Sequence, residues 1–439
     1  IGLEGVRRLN NRPYLKLWML LALVLAVPAF GQEDARRGSE ADDGTQSGYG
    51  NKESFGGPQS VTNELNGADE ERDAIAEWEF FDGYFDWKRQ IKEDYGVSFG
   101  IHMYGLYQQA GDNLPGEDDD AFGNIFRFLG NWTLYEQDNG NLGRIEWRME
   151  SRSNWFGRQA PGSLGGATGI AALAPGFAYS DNFDMDISVI NWTQGFANGK
   201  AGYAVGRLAF DVYLDAFPFQ TFSRGFINRS FILNPTLPTT GIGALGGVVK
   251  GFVGDNLWVG GQIHDANAAS GKFDFDTVQE GEWLKAVEVG WTPSFGQRKT
   301  HLVQFTYWDK DERTDAGVSD GSGWAVSAAW KLNDTYFPFV RFGSSDGGGG
   351  VAAEEAFSAG VEIARPRGEV WTIGAGWARP SEDNFGPDPD DETVIETSYK
   401  FQLAKNLSLL ADGQLIFNPA NNPDESSIWV VGARFILTL

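Results

Sequence analysis

From Val97 to Leu439 apolar and polar residues alternate with a period of two, the spacing that sends successive side chains to opposite faces of a strand. The alternation comes in segments of about ten residues separated by Gly, Asn, Asp and Pro turns. In the last segment Trp429, Val431, Ala433, Phe435, Leu437 and Leu439 share one face, and Gly432 and Arg434 the other. Around Glu288, the residues Trp283, Val287, Val289 and Trp291 share a face opposite Ala286, Glu288 and Gly290. Around Arg127, the residues Phe126, Phe128, Trp132 and Leu134 oppose Arg127, Asn131 and Thr133. Such segments begin near Val97, Phe122, Leu142, Asp184, Gly199, Ala244, Asn256, Glu282, Thr300, Gly323, Thr335, Ala356, Glu369, Thr393, Asn406 and Ser427, which makes about sixteen.

Two all-β architectures alternate in this way. A soluble sandwich turns its apolar face into a core; a transmembrane β-barrel turns it toward lipid. Three features favour the barrel. The polar face carries Arg and Glu beside Gly, as a hydrated lumen would. Trp283 and Trp291 lie eight residues apart, roughly 26 Å along a strand and about 20 Å after a tilt near 40°, close to the ~25 Å band between aromatic girdles. Tight turns such as Gly140-Asn141 also alternate with long acidic excursions such as Gly111–Asp120 and Asn384–Asp391. The expected fold is an antiparallel barrel of about sixteen strands, with Val287, Val289, Val431 and Phe435 toward lipid and Glu288 and Arg434 toward the lumen.

Composition narrows the function. The chain has no Cys and three His, at 102, 264 and 301, which removes disulfide scaffolds, thiolate metal sites and Cys nucleophiles and leaves no clustered histidines. No cofactor and no metal are expected. A formal net charge of −25 argues against a nucleic-acid partner.

The N-terminal region divides into three. Arg7, Arg8, Arg12 and Lys16 precede the apolar run Leu17–Phe30, and small residues occupy 29 and 31. Residues 1–31 therefore read as a signal peptide cleaved after Gly31, and the chain is expected to be exported. Residues 32–75 are acidic and Gly/Ser-rich and read as a flexible linker. Over 76–96, Trp78, Phe81, Phe85 and Ile91 fall near helical spacing and Gly96 is a stop signal, which predicts an amphipathic helix. The barrel domain is then 97–439.

Two connections, Asn154–Asn182 and Asp211–Thr240, are too long for turns and rich in aromatics. They are expected to fold into the barrel and narrow it. Two motifs resemble enzyme signatures without their context. Gly241–Gly246 matches GxGxxG but precedes a β-like run instead of a helix. Gly343–Gly347 matches GxSxG but leads into a glycine run. Asp118–Asp120 and Asp388–Asp391 lack calcium-loop spacing and read as solvated loop tips. No catalytic residue is expected.

The segment LGRIEWRMESR (142–152) carries the most informative side chains. At strand spacing Arg144, Glu146, Arg148, Glu150 and Arg152 form one row, opposite Ile145, Trp147 and Met149. A lipid-facing Arg costs roughly 2–4 kcal/mol at the bilayer midplane, so the row must face the lumen. Arg127 and Arg207 on neighbouring segments can join it. Mutually paired wall charges are one reading. A constriction is the other: guanidinium donors and carboxylate acceptors that exchange hydrogen bonds with vicinal hydroxyls, while loop aromatics stack on a sugar ring.

Several stretches resemble the carbohydrate-selective porin family (OprB type) of Gram-negative outer membranes. FDWKRQIKEDYGVSFGIHMYG is similar to its N-terminal helix and first strand. INWTQ (Ile190–Gln194) and AVGRLAFD (Ala204–Asp211) resemble its middle strand pair, FINRSFILNP (Phe226–Pro235) the segment after it, and IWVVGARFILTL its closing strand. The resemblance runs from Trp78 to Leu439. It implies a sixteen-stranded outer-membrane barrel with infolded loops and an Arg/Glu-lined eyelet passing sugars, here mapped by strand position onto Arg127, Arg144, Glu146, Arg148, Glu150, Arg152 and Arg207. Sugars as solutes and outer-membrane lipid are the implied partners, with monomer and homotrimer both open. A general or anion-preferring porin is the alternative within transport. An exported all-β carbohydrate-active enzyme or lectin is the alternative outside it.

Overall fold

The computed structural model describes residues 56–69, 73–76, 79–137, 140–181, 183–239, 243–268 and 275–439. The signal segment 1–31 lies outside them. Strands form where the alternation places them. They are β1 (Val97–Ala110), β2 (Asp120–Glu136), β3 (Leu142–Asn154), β4 (Phe183–Phe196), β5 (Ala201–Leu208) and β6 (Ala244–Val253). Next come β7 (Leu257–Asp265), β8 (Trp283–Trp291), β9 (His301–Lys310), β10 (Gly321–Trp330) and β11 (Tyr336–Ser345). The last are β12 (Ala353–Ala364), β13 (Val370–Pro380), β14 (Glu392–Ala404), β15 (Leu407–Phe417) and β16 (Ser427–Thr438).

Each strand pairs antiparallel with the next, and β1 pairs with β16 from His102↔Thr438 to Ala110↔Val430, so the sheet closes as a barrel. Closure leaves no sheet edge and excludes the two-sheet sandwich. At the seam the Phe435 ring lies over Gly105, its cross-strand partner; a Cβ at Gly105 would stand 1.9 Å from that ring. Because β6 begins at Ala244, a strand and not a helix follows the glycine-rich motif, which removes the dinucleotide context.

Outward residues are apolar and exposed. Val287 is 57% and Val289 52% exposed, whereas Glu288 between them is 1% exposed. On β16, Trp429 and Val431 point outward and Arg434 is buried. Trp291 and Trp330 stack at 6.1 Å near one rim, where an aromatic girdle belongs. The orientation makes Val289→Arg costly, about 2–4 kcal/mol. Unfolding by urea from lipid vesicles should show that loss for Val289→Arg and none for Val289→Leu.

Connections alternate in length. Residues 137–141, 197–200, 254–256, 292–300, 331–335, 365–369 and 405–406 close one end. Residues 111–119, 155–182, 209–243, 266–282, 311–320, 346–352, 381–391 and 418–426, most of them longer, close the other. The two longest turn back inside and carry the short helices α3 (Leu164–Thr168) and α4 (Arg229–Ile232). Phe217, Phe219, Phe226, Phe231, Leu164 and Leu173 pack against inward wall residues Phe337, Phe339, Ala356, Val394 and Ile416. The expectation of a hydrated inner wall is corrected here: a dry core lies between infolded chain and barrel, and Glu288 and Arg434 are buried under it.

Of the linker expected over 32–75, residues 32–55 and 70–72 lie outside the described residues, and part of the rest is helical. Within it, helix α1 (Val61–Asp69) sits inside the barrel against β1, β2 and β3, with Val61, Leu65 and Ala68 buried. Nearer β1, a 3-10 turn (Glu79–Phe81) leads into α2 (Asp82–Tyr95), which ends at Gly96 with φ 70°. The Gly96 N–H closes on the Lys92 carbonyl, the left-handed cap that glycine adopts without strain.

Candidate binding site in the barrel lumen

Strands β2 and β3 deliver the charged row to the interior because both alternate in phase, with Arg127 paired to Glu150 and Asn131 to Glu146 in register. Arg127, Arg144, Glu146, Arg148 and Glu150 are all buried and Arg152 is half-buried. The Arg127 Nε donates to Glu150 Oε2 at 2.6 Å and its Nη2 to Gln59 Oε1 at 3.2 Å. Its Nη1 pairs with the Glu64 carboxylate of α1. Arg148 donates from Nε to Ser188 Oγ at 2.9 Å and from Nη1 to the Gln59 carbonyl at 3.1 Å, with Glu64 Oε2 at 3.7 Å. Arg152 donates to Glu150 Oε1 at 2.6 Å and to the Ala178 carbonyl at 2.7 Å. Burial pushes the Glu64 carboxyl above the usual carboxylate range, against the pull of the Arg127 and Arg148 charges.

A cavity of about 210 Å³ opens beside this cluster. Arg127, Arg148 and Arg152 line it from the wall, Phe177, Ala178 and Ser180 from the first infolded segment, Asp211, Phe222 and Thr239 from the second, and Gln59 from the chain before α1. The Phe222 ring faces the Arg127 guanidinium at 4.9 Å, and the Arg229 guanidinium lies 4.4 Å over the Phe177 ring. Burial draws Arg229 down to about 10. Guanidinium donors, a carboxylate, hydroxyls and two rings thus converge on one small space. That combination can hold a polar ring by its edge groups and by its apolar face.

The row divides in the structure. Arg127, Arg148 and Arg152 reach the cavity, and Glu150 stands behind all three as their shared acceptor. Arg144 and Glu146 lie off the cavity and meet Thr62 of α1, at 2.9 Å and 2.7 Å. Arg207 is turned to the Ile187 carbonyl at 2.9 Å. Gln59, Phe177, Asp211 and Phe222 were not singled out as site residues from the sequence. Phe177 and Phe222 had a visible signal as aromatics in overlong connections; Gln59, in a polar tract, had none.

Barrel-wall carboxylates position the infolded segments. Glu392 accepts the backbone N–H groups of Ala171, Ala172 and Leu173 at 2.7, 2.9 and 3.0 Å, and that of Ala420 at 3.0 Å. Glu396 accepts those of Ile227 and Asn228 at 2.7 and 3.0 Å. Glu288 accepts the Asp215 N–H at 2.5 Å and is itself held by Trp258 and Lys250 at 2.7 and 2.8 Å.

The closing strands carry the sequence pattern of the carbohydrate-selective porin OprB family, which matches residues 368–439. The chain is similar to the carbohydrate-selective porins. The barrel superposes on the high-pH structure of Pseudomonas putida OprB with a TM-score of 0.67 over 84% of this chain and 99% of that one. Identity there is 13%, so the likeness is one of fold. Porin AaxA of Chlamydia felis is 21% identical over 312 residues, 69% of this chain and 68% of that protein. Fold and pattern together point to a porin channel rather than an enzyme, and the porin relatives imply the outer membrane.

Proposed function

We propose that this porin gives passive, selective diffusion to mono- or small oligosaccharides across the outer membrane, through a constriction formed by Arg127, Arg148 and Arg152 with Phe177 and Phe222. The cavity carries the reading: three guanidinium groups and two aromatic rings meet in about 210 Å³ inside a closed barrel. Donors to ring hydroxyls and a surface for the apolar face of a pyranose favour sugars. The excess of guanidinium groups over the one lining carboxylate, Asp211, favours a second reading, an anion preference. Glu150, Arg144, Glu146 and Arg207 act behind the lining, as supports.

Arg152 is the most accessible of the three guanidinium groups and tests the site. In planar bilayers Arg152→Ala should weaken sugar block by up to about tenfold if one contact worth ~1.4 kcal/mol is lost. The reversal potential should move toward cations. Arg158→Ala, on a side chain that pairs with Asp120 outside the cavity, should change neither. Sugar block left at its wild-type strength would remove the sugar reading, and a shifted reversal potential by itself would support the anion preference.

A further inference from the structure

Helix α1 takes the same guanidinium groups that the cavity offers to a solute. Its Glu64 carboxylate sits between Arg127 and Arg148, hydrogen-bonded to the first and 3.7 Å from the second, so both guanidinium charges face one carboxylate. The segment also spans the interior. Asn63 reaches Lys299 on the connection 292–300 at 3.4 Å, and Asn63 Nδ2 holds the Gly56 and Gly57 carbonyls at 2.9 Å. The Gly57 N–H in turn meets the Val212 carbonyl of the second infolded segment.

What holds α1 differs from what holds the infolded segments. Among the described residues, Val61 and Leu65 join a small apolar cluster with Leu129 and Val189, whereas the infolded segments bury a file of Phe side chains. The rest of the α1 seat is polar: Thr62, Asn63 and Glu64 against Asn131, Arg144, Glu146, Arg127 and Arg148. Among the described residues, Asn66 Nδ2 and Arg144 Nε are buried there without a hydrogen-bond partner, a cost that hydration of an emptied seat would lift.

Resting on the reading of the lumen as a sugar path, we propose that α1 is a tethered plug whose Glu64 stands in for the carboxylate of a permeating solute, and that a carboxylate-bearing sugar displaces it. The Arg127–Arg148 pair is then a carboxylate subsite, and solute and helix compete for it.

The full chain in planar bilayers tests this, with glucuronate and glucose as probes. Glucuronate should raise the open fraction of the wild type several-fold over glucose at equal concentration. Glu64→Lys, which sets a third cation beside Arg127 and Arg148, should conduct several-fold more without any solute and lose the glucuronate response. Because the chain has no cysteine, the pair Thr62→Cys and Asn131→Cys, whose native side chains meet at 3.2 Å, can lock the helix in its seat at the cost of the Thr62 hydroxyl contacts to Arg144 and Glu146. Oxidised, this variant should ignore glucuronate; reduced, it should respond like the wild type. Equal responses to glucuronate and glucose, an oxidised variant that opens as the reduced one does, or a pair that will not oxidise would each overturn the proposal. Liposome swelling separates the two readings. A Glu64→Lys channel that conducts ions but admits no sugar leaves the plug standing and removes the sugar path. Glucose entry at the wild-type rate through Glu64→Lys removes the plug and keeps the path.

Discussion

Arg127→Ala is expected to destabilise the folded barrel by about 3 kcal/mol, the lower end of the range for breaking a buried ion pair. The guanidinium serves Glu150, Glu64 and Gln59 at once and packs on the Phe222 ring. Glu150 keeps Arg152 and Arg148 after the substitution, which is why the loss stays at the lower end. Glu64 keeps only Arg148 at 3.7 Å. A lowered urea midpoint in detergent or vesicles checks the first part. The second part is a pH dependence. Burial already raises the Glu64 carboxyl and Arg127 is the leading charge that pulls it back, so removing Arg127 raises it further. A carboxyl with a higher pKa seated than free binds its proton more tightly when seated. Seating of α1 in the variant is therefore favoured below the ordinary Glu value near ~4.3 and weakens as pH rises through the raised value. Conductance of Arg127→Ala should climb between acid and neutral pH more steeply than that of the wild type.

Asp215→Ala should cost about 3–5 kcal/mol, concentrated in the second infolded segment. Asp215 stands at φ 50°, where Asp and Asn are tolerated and Ala is strained. Its carboxylate pairs with buried Arg341 and accepts from Ser327 at 3.0 Å and Gln304 at 3.3 Å. Burial pushes this carboxyl up and the Arg341 charge opposes it. Ala leaves the Arg341 guanidinium buried against the Phe217 ring, 4.6 Å away, with no carboxylate. Asn keeps the backbone conformation and an acceptor, so Asp215→Asn should lose clearly less. Proteolysis within 209–243 should rise in Asp215→Ala while the strand circular dichroism stays intact. Equal losses for Ala and Asn would show that charge alone matters and backbone strain does not.

The barrel wall was legible because its rule is local. A period of two over each segment decides in from out, and the expected strand starts, such as Leu142, Ala244 and Ser427, coincide with the observed ones. The row on β3 was assigned to the interior for the same reason. What the row touches was not legible, since that depends on segments far away in sequence. Helix α1 did leave a trace: Val61, Leu65 and Ala68 recur at helical spacing. Within an acidic Gly/Ser tract nine residues of weak periodicity cannot form a helix alone; the wall of β1–β3 supplies what the segment lacks. The dry interior escaped for a related reason. Inward Phe337 and Phe339 occupy positions that a hydrated lumen would leave polar, and only the fold shows Phe219 meeting them at 4.9 and 4.7 Å.

Glu392 and Glu396 hold the infolded segments by their peptide N–H groups. Every residue except proline offers that donor. Side chains along the infolded segments can therefore be exchanged while their path through the barrel stays anchored. An evolving lineage could rewrite what lines the cavity at Phe177, Ser180 or Phe222 and leave the scaffold untouched, with proline at 171, 172, 173, 227 or 228 as the forbidden step. The interior behaves as a cassette: the wall dictates where the insert runs, and the insert is free to decide what it greets.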